Sequence, residues 1–176
     1  MTATAFCGFD GTTVEAIAAA CDVSPATVYR YFPTKEDIVF TDIERQGDRL
    51  IELIDEQPDR LAPNQALYQA LRGLAEEYLP NRASMRANSR LGDDSLSLRA
   101  RRAEVQQRWE QSVVAALQRR PSTAKLGIDD ALLRFMTATG LSSFRVATEL
   151  WLADDANDLH ELFDRAAVRL TEGFGG

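Results

Sequence analysis

The sequence predicts an all-α protein. Apolar residues recur at three- and four-residue spacing through most of its 176 residues, which is the signature of amphipathic helices. The breaks in that pattern fall at Pro, Gly or a helix-capping Ser, Thr or Asp. No run of β-branched residues alternates as a strand would. The hydrophobic fraction is 45% and the charged fraction 27%, ordinary for a globular chain that buries a core without metal or disulfide.

The elements follow in chain order. Thr12 or Thr13 caps a short helix that turns Val14, Ile17 and Ala18 inward. Its alanines at 16, 18, 19 and 20 keep it thin, so another helix packs closely. Cys21-Asp22-Val23 breaks the pattern. Ser24 caps the next helix, and Pro25 stands in its first turn, where a missing N–H costs nothing. That helix ends at Phe32, the residue before Pro33. Thr34 caps a long helix, with Ile38, Phe40, Ile43, Leu50, Leu53 and Ile54 as its apolar face, which runs to Gln57 and stops at Pro58. Pro63 to Leu79 repeats the pattern with Leu67, Leu71, Leu74 and Tyr78, and Pro80 stops it. Leu96 to Leu117 is a long charged helix, and Pro121 to Gly127 reads as a loop. Asp129 and Asp130 open a helix from about Ala131 to Leu152, with acids at its positive end. After a connector at Asp154 to Asn157, a last helix runs from about Asp158 to Thr171 and ends at Gly173.

Several function classes lack their residues. The chain has one histidine, His160, and no G-x-S-x-G turn, so a Ser-His-Asp triad is not expected. Two cysteines, Cys7 and Cys21, with one distant histidine do not make a zinc cluster. Neither G-x-x-x-x-G-K-[ST] nor G-x-G-x-x-G occurs, so the usual phosphate cradles are absent. No catalytic residue, metal or cofactor is expected, and the chain is not expected to be an enzyme. No apolar window is long enough for a membrane span, and no secretory signal pattern opens the chain. The expected location is the cytoplasm, where two thiols stay reduced.

The first 35 residues place two short helices around a tight turn, a helix-turn-helix. The run Gly8-Phe9-Asp10-Gly11-Thr12-Thr13-Val14-Glu15-Ala16-Ile17-Ala18, followed by Val23-Ser24-Pro25-Ala26-Thr27-Val28-Tyr29-Arg30-Tyr31-Phe32-Pro33-Thr34-Lys35-Glu36-Asp37, resembles the tetracycline-repressor (TetR) family of transcriptional regulators. The resemblance rests on this stretch. It implies a DNA-binding head at residues 1–35, a connecting helix at 36–57, and a helical body at 58–176 that binds an effector and dimerises through its last two helices. It also implies a regulator, usually a repressor, that a small molecule releases from a double-stranded DNA operator.

A recognition helix enters the major groove with its N-terminal residues at base edges. Here those residues are Pro25, Ala26 and Thr27, and the Thr27 hydroxyl and methyl suit base contact. Arg30 suits a guanine or a phosphate, or is a solvated surface charge. Tyr29 and Tyr31 carry hydroxyls on rigid rings and suit phosphate contact, or are ordinary half-buried aromatics. Thr13 offers a hydroxyl to another phosphate, and Lys35 a point charge. Val28 and Phe32 are expected to face inward.

Two features depart from the family pattern. The spacing Phe6-Cys7-Gly8-Phe9 is shorter than the family's, so the first helix of the head is expected to be truncated. The charge is also unusual for a DNA-binding head: residues 1–35 carry two basic and three acidic groups, and residues 36–60 three basic and nine acidic. Few phosphates are neutralised, so weak non-specific affinity is expected.

In the body, seven arginines against three acids between Arg82 and Arg108 suit an anionic effector or a solvated helix face. Large residues placed mid-helix, Leu74, Tyr78, Met85, Trp109, Phe135, Met136 and Phe144, are candidate pocket lining, although a closed core has the same composition. Along the helix from Ala131, Leu132, Phe135, Thr139, Val146 and Leu150 share one side, while Gly140, Ser143 and Ala147 form a thin stripe that permits close helix approach. With Leu159, Leu162, Phe163, Ala166, Ala167 and Leu170, two such helix pairs build a two-fold four-helix interface. The expected function is a ligand-responsive regulator, acting as a homodimer on a pseudo-palindromic operator. The alternative is a non-DNA-binding helical dimer that carries a ligand or binds a protein partner.

Overall fold

The computed structural model describes residues 9–91 and 95–172. The expected truncation of the first helix, Cys7 and the expected stop at Gly173 fall outside the described residues. Among the described residues, nine α-helices follow one another: α1 (Val14–Ala20), α2 (Pro25–Tyr31), α3 (Lys35–Asp55), α4 (Pro63–Tyr78), α5 (Arg82–Leu91), α6 (Leu96–Arg119), α7 (Pro121–Leu126), α8 (Asp130–Ala153) and α9 (Leu159–Glu172). A 3-10 turn over Leu79–Asn81 joins α4 to α5. No strand occurs among the described residues, as the missing alternation predicts. None of these helices is long and apolar enough to cross a membrane.

Two elements differ from expectation. Residues 121–126 form α7, within the stretch expected to be a loop. Pro121 stands at its first position, where proline is pre-organised for a helix, and Gly127 ends it with φ 64°. A six-residue helix is too short to show a period. The sequence reading assigns no helix to Arg82–Leu91, because its apolar repeat of Ala83, Ala87 and Leu91 is mostly alanine set among arginines and serines.

The caps are legible in the sequence. Thr13, rather than Thr12, caps α1 by accepting from the Ala16 amide at 3.2 Å. Ser24 caps α2, accepting from the Thr27 amide at 3.1 Å. Thr34 and Asp37 cap α3 reciprocally: the Asp37 amide donates to Thr34 Oγ1, and the Thr34 amide donates to Asp37 Oδ2. Asp129 caps α8 through the Leu132 amide at 2.8 Å.

The chain folds into two compact units. One contains the residues up to Arg45 together with Ser84–Gln106; the other contains Gln46–Ala83 with Gln107 onward. The head is therefore larger than the N-terminal segment alone. In its core Val14, Ala18 and Val28 close α1 on α2, and Phe32 and Ile38 pack against them. Helix α6 opens inside this unit. Ser95 Oγ donates to Asp10 Oδ1 at 2.7 Å, Ser97 Oγ donates to Glu36 Oε1 at 2.9 Å, and Arg101 pairs with Asp37 and Glu44.

The turn between α1 and α2 uses an uncommon backbone. Asp22 has φ 55°, a left-handed conformation that short polar side chains tolerate and glycine adopts freely. Asp22→Gly is expected to stabilise the head by about 0.5–1 kcal/mol, the steric relief exceeding glycine's larger unfolded-state entropy. A thermal melt followed by circular dichroism checks this, and an unchanged or lower midpoint refutes it.

In the body, α4, α8 and α9 pack against one another. A would-be Cβ on Gly140 comes within 3.0 Å of Leu67 and 3.6 Å of Leu71. The close approach that Gly140 permits is thus made by α4 of the same chain. Phe144 packs against both Tyr78 and Phe163 with ring centroids 5.5 Å apart, and Tyr68 stacks on Phe163 at 5.4 Å. Asp164 accepts from Tyr68 and pairs with Arg72, tying α9 to α4.

Candidate nucleic-acid interface

Helix α2 buries Val28 and leaves its other faces open. Pro25 and Ala26 are exposed at its N-terminal turn, and Thr27 is half-buried. The Thr27 hydroxyl shares a 2.8 Å hydrogen bond with Ser24 Oγ, so the cap holds it in place. Tyr29 is 46% exposed and Tyr31 66% exposed, too open for core aromatics. The Arg30 guanidinium stands 4.8 Å from the centre of the Tyr31 ring and donates to its hydroxyl at 3.2 Å. A stacked guanidinium is flat and pre-organised for a bidentate acceptor.

Lys35 departs from the sequence expectation. Its ammonium does not stand as a free charge for phosphate. It donates to the carbonyl oxygens of Phe9, Asp10 and Thr12 at 3.0, 3.3 and 3.3 Å, and lies 4.5 Å from the centre of the Phe9 ring. Lysine here closes the turn that leads into α1. Three convergent carbonyls satisfy all three ammonium donors, and the side chain snorkels past an aromatic ring to reach them.

Sequence reasoning also missed Glu15. It is exposed on α1 and accepts from the Tyr29 hydroxyl at 3.2 Å. Its own backbone amide, the Thr13 hydroxyl and the Tyr29 hydroxyl hold its carboxyl below the usual carboxylate range. Partial desolvation, then the Glu15 charge, pushes the Tyr29 hydroxyl up. A glutamate in the first turn of a helix is unremarkable in sequence, so no signal marked it.

The seven candidate pocket residues separate in the structure. Leu74, Tyr78 and Phe144 belong to the closed core of the body. The Tyr78 hydroxyl donates to Gln46 Oε1 at 2.8 Å. Trp109 lies against α3 at Gly47. Met85 falls in the unit that contains the head. Only Phe135 and Met136 line an open cleft of about 650 Å³ between α4, α8 and α9. Sequence reasoning missed the rest of its wall, chiefly Leu67, Tyr68, Leu71 and Phe163, because helix periodicity gives the inward face but not which neighbour it meets. Two members of the arginine run are committed within the fold. Arg82 caps the end of α8 through the Trp151 and Asp154 carbonyls, and Arg101 is paired as above.

Among the described residues, no group of three or more His, Cys, Asp or Glu gathers as a metal site. A helix-turn-helix head continued by one long helix into a helical body defines a transcriptional regulator. Residues 7–40 match the family described as bacterial regulatory proteins, tetR family, and residues 61–175 match the MftR C-terminal domain. The chain is 34% identical over 67 residues to the HTH-type transcriptional regulator TcmR of Streptomyces glaucescens, a stretch covering 38% of this chain and 30% of that protein. The chain belongs to the tetR family of bacterial regulatory proteins. Proteins of this family are DNA-binding regulators, not enzymes.

Proposed function

We propose that this regulator is a ligand-responsive repressor. It acts as a homodimer on a pseudo-palindromic operator and leaves it when a small molecule binds the body. The observation that carries the reading is the open face of α2, where Tyr29, Arg30 and Tyr31 stand together beside a capped N-terminal turn. Pro25, Ala26 and Thr27 approach base edges. Tyr29, Tyr31 and Thr13 meet phosphates, and Arg30 reads guanine or phosphate. Lys35 contributes by fixing the turn before α1 rather than by touching DNA.

The dimer is proposed to form through α8 and α9. Leu132, Phe135, Val146 and Leu150 lie along one side of α8 and are between 43% and 72% exposed, and Val168 on α9 is 49% exposed. Apolar side chains aligned this way mark an association surface rather than scattered surface residues. Two-fold pairing then sets the recognition helices about 34–36 Å apart, one turn of the duplex. Effector binding shifts a two-state equilibrium in that spacing. Phe135→Glu is expected to weaken dimerisation by roughly a hundredfold, through loss of an aromatic anchor and burial of an unpaired charge. Sedimentation of the variant decides it: a dimer as tight as the original removes Phe135 from the interface.

Selection from a random duplex-DNA library at moderate salt tests the function. Enrichment of an inverted repeat supports the dimeric repressor and supplies its operator. No enrichment from a folded helical dimer overturns it in favour of a ligand carrier or protein partner. The net negative charge of residues 1–60 is the observation that keeps this second outcome worth testing.

A further inference from the structure

The Tyr29 hydroxyl has one hydrogen to give, and in the free head it gives it to Glu15. A DNA phosphate only accepts. The same hydrogen therefore cannot serve Glu15 and a phosphate together. A phosphate oxygen within hydrogen-bond distance of Tyr29 Oη would also sit close to a carboxylate that is itself 3.2 Å from that oxygen, and two anions so placed repel. The basic side chains of the N-terminal segment are both engaged. Residues 1–35 contain only Arg30 and Lys35 as basic groups. Arg30 is stacked on Tyr31, and Lys35 is held by three carbonyls.

We propose that Glu15 is an internal competitor for DNA: its carboxylate occupies the Tyr29 hydroxyl in the free head and must release it when a phosphate docks. The inference rests on the DNA-binding reading above and adds a negative determinant to it. Glu15 thereby lowers the baseline affinity for any duplex, and the operator's base contacts must supply what it withholds. This acts on all sequences alike, because phosphate contacts carry no sequence information. The lowered Glu15 carboxyl keeps the competitor charged throughout the neutral range.

The test measures binding of the full chain to a labelled random-sequence duplex by fluorescence anisotropy, over a series of salt concentrations. Glu15→Gln removes the charge but keeps an acceptor for Tyr29. Glu15→Ala removes both. Each is also made with Tyr29→Phe. Competition predicts that Glu15→Ala binds tightest, Glu15→Gln next and the original chain weakest, with about three- to tenfold between the extremes. Losing the carboxylate also steepens the plot of log affinity against log salt, by up to about one unit. In the Tyr29→Phe background the advantage of Ala over Gln disappears, because no hydroxyl is left to release. If Glu15→Ala binds no better than the original chain, Glu15 orients Tyr29 for DNA instead and the proposal is overturned. An Ala-over-Gln advantage that survives Tyr29→Phe overturns it too, since the hydroxyl is then not what is contested. Failure of the original chain and every variant to bind duplex at low salt overturns the DNA-binding reading, and this inference with it.

Discussion

Gly47→Ala is expected to destabilise the protein even though alanine is the better helix former. Gly47 lies inside α3, and a Cβ there would stand 2.3 Å from Trp109 Nε1 and 2.7 Å from its Cε2. Alanine gains about 1 kcal/mol in intrinsic helix propensity over glycine. The clash outweighs this, because the atoms met belong to a rigid indole rather than to the end of a flexible chain. The ring must leave its rotamer or the two helices must part. The expected net loss is about 1–3 kcal/mol, the usual range for overpacking. Urea denaturation gives the stability. Tryptophan emission gives the cause: the half-buried Trp109 is expelled toward water and the spectrum moves to the red. A variant of equal or higher stability with an unshifted spectrum refutes the contact.

Arg120→Ala is expected to cost more, about 3 kcal/mol or above, because it strips a buried polar hub of its only charged member. Arg120 is 5% exposed. Its guanidinium donates to the Ile54 carbonyl at 2.9 Å, to Pro58 at 2.7 Å and to Gln57 at 3.3 Å. Ile54 lies in the last turn of α3 and Gln57 and Pro58 follow it; the Ile54 carbonyl also accepts the Gln57 amide at 3.2 Å, and the Pro58 carbonyl the Leu61 amide at 3.0 Å. These carbonyls also carry the negative end of the helix dipole, which compensates the buried charge. Alanine removes all the guanidinium donors at once and leaves the Ile54 and Pro58 carbonyls with one backbone amide each. Arg120→Met, which keeps most of the volume, separates the two contributions: it is expected to recover the packing but not the hydrogen bonds, and to fall between alanine and the original. If methionine is as stable as arginine in urea, the carbonyls do not need this partner.

The helices with a strong apolar period were legible in the sequence, and so were their caps. Thr13, Ser24 and Thr34 bond the amides that their positions predict, and Asp129, read as an acid at the helix's positive end, also caps it. A cap acts over three residues, so the sequence holds all of its information. Helix α5 was not legible, because the face it does have, Ala83, Ala87 and Leu91, is mostly alanine and weak beside its arginines. Helix α7 was not legible, because one and a half turns cannot show a period and Pro121 reads equally as a stop or a start. The role of Lys35 depends on three carbonyls more than twenty residues away. Nothing local distinguishes a lysine that will meet phosphate from one that will tie down a loop. The pocket failed for a related reason. Leu74, Tyr78 and Phe144 have the size and helical position of lining residues, yet they close the core, while Tyr68 and Phe163 reach the cleft through the packing of α4 against α9. Periodicity tells which way a side chain points along its own helix, and not what stands opposite.

The grouping of Ser84–Gln106 with the N-terminal residues bears on how such heads can be exchanged between regulators. Ser95 reaches Asp10 across 85 positions of sequence, and Arg101 reaches Asp37 and Glu44. The DNA-reading part is thus a composite of two strips of chain, with a strip of the body threaded between them. A chimera cut once after α3 carries away the visible reading surface and leaves behind part of its footing: Asp10 loses its hydroxyl partner and Asp37 and Glu44 their arginine. Grafting these acids without Ser95 and Arg101 adds uncompensated negative charge beside a surface meant for DNA. A transplant that respects the fold has two seams, and recombination in nature meets the same constraint.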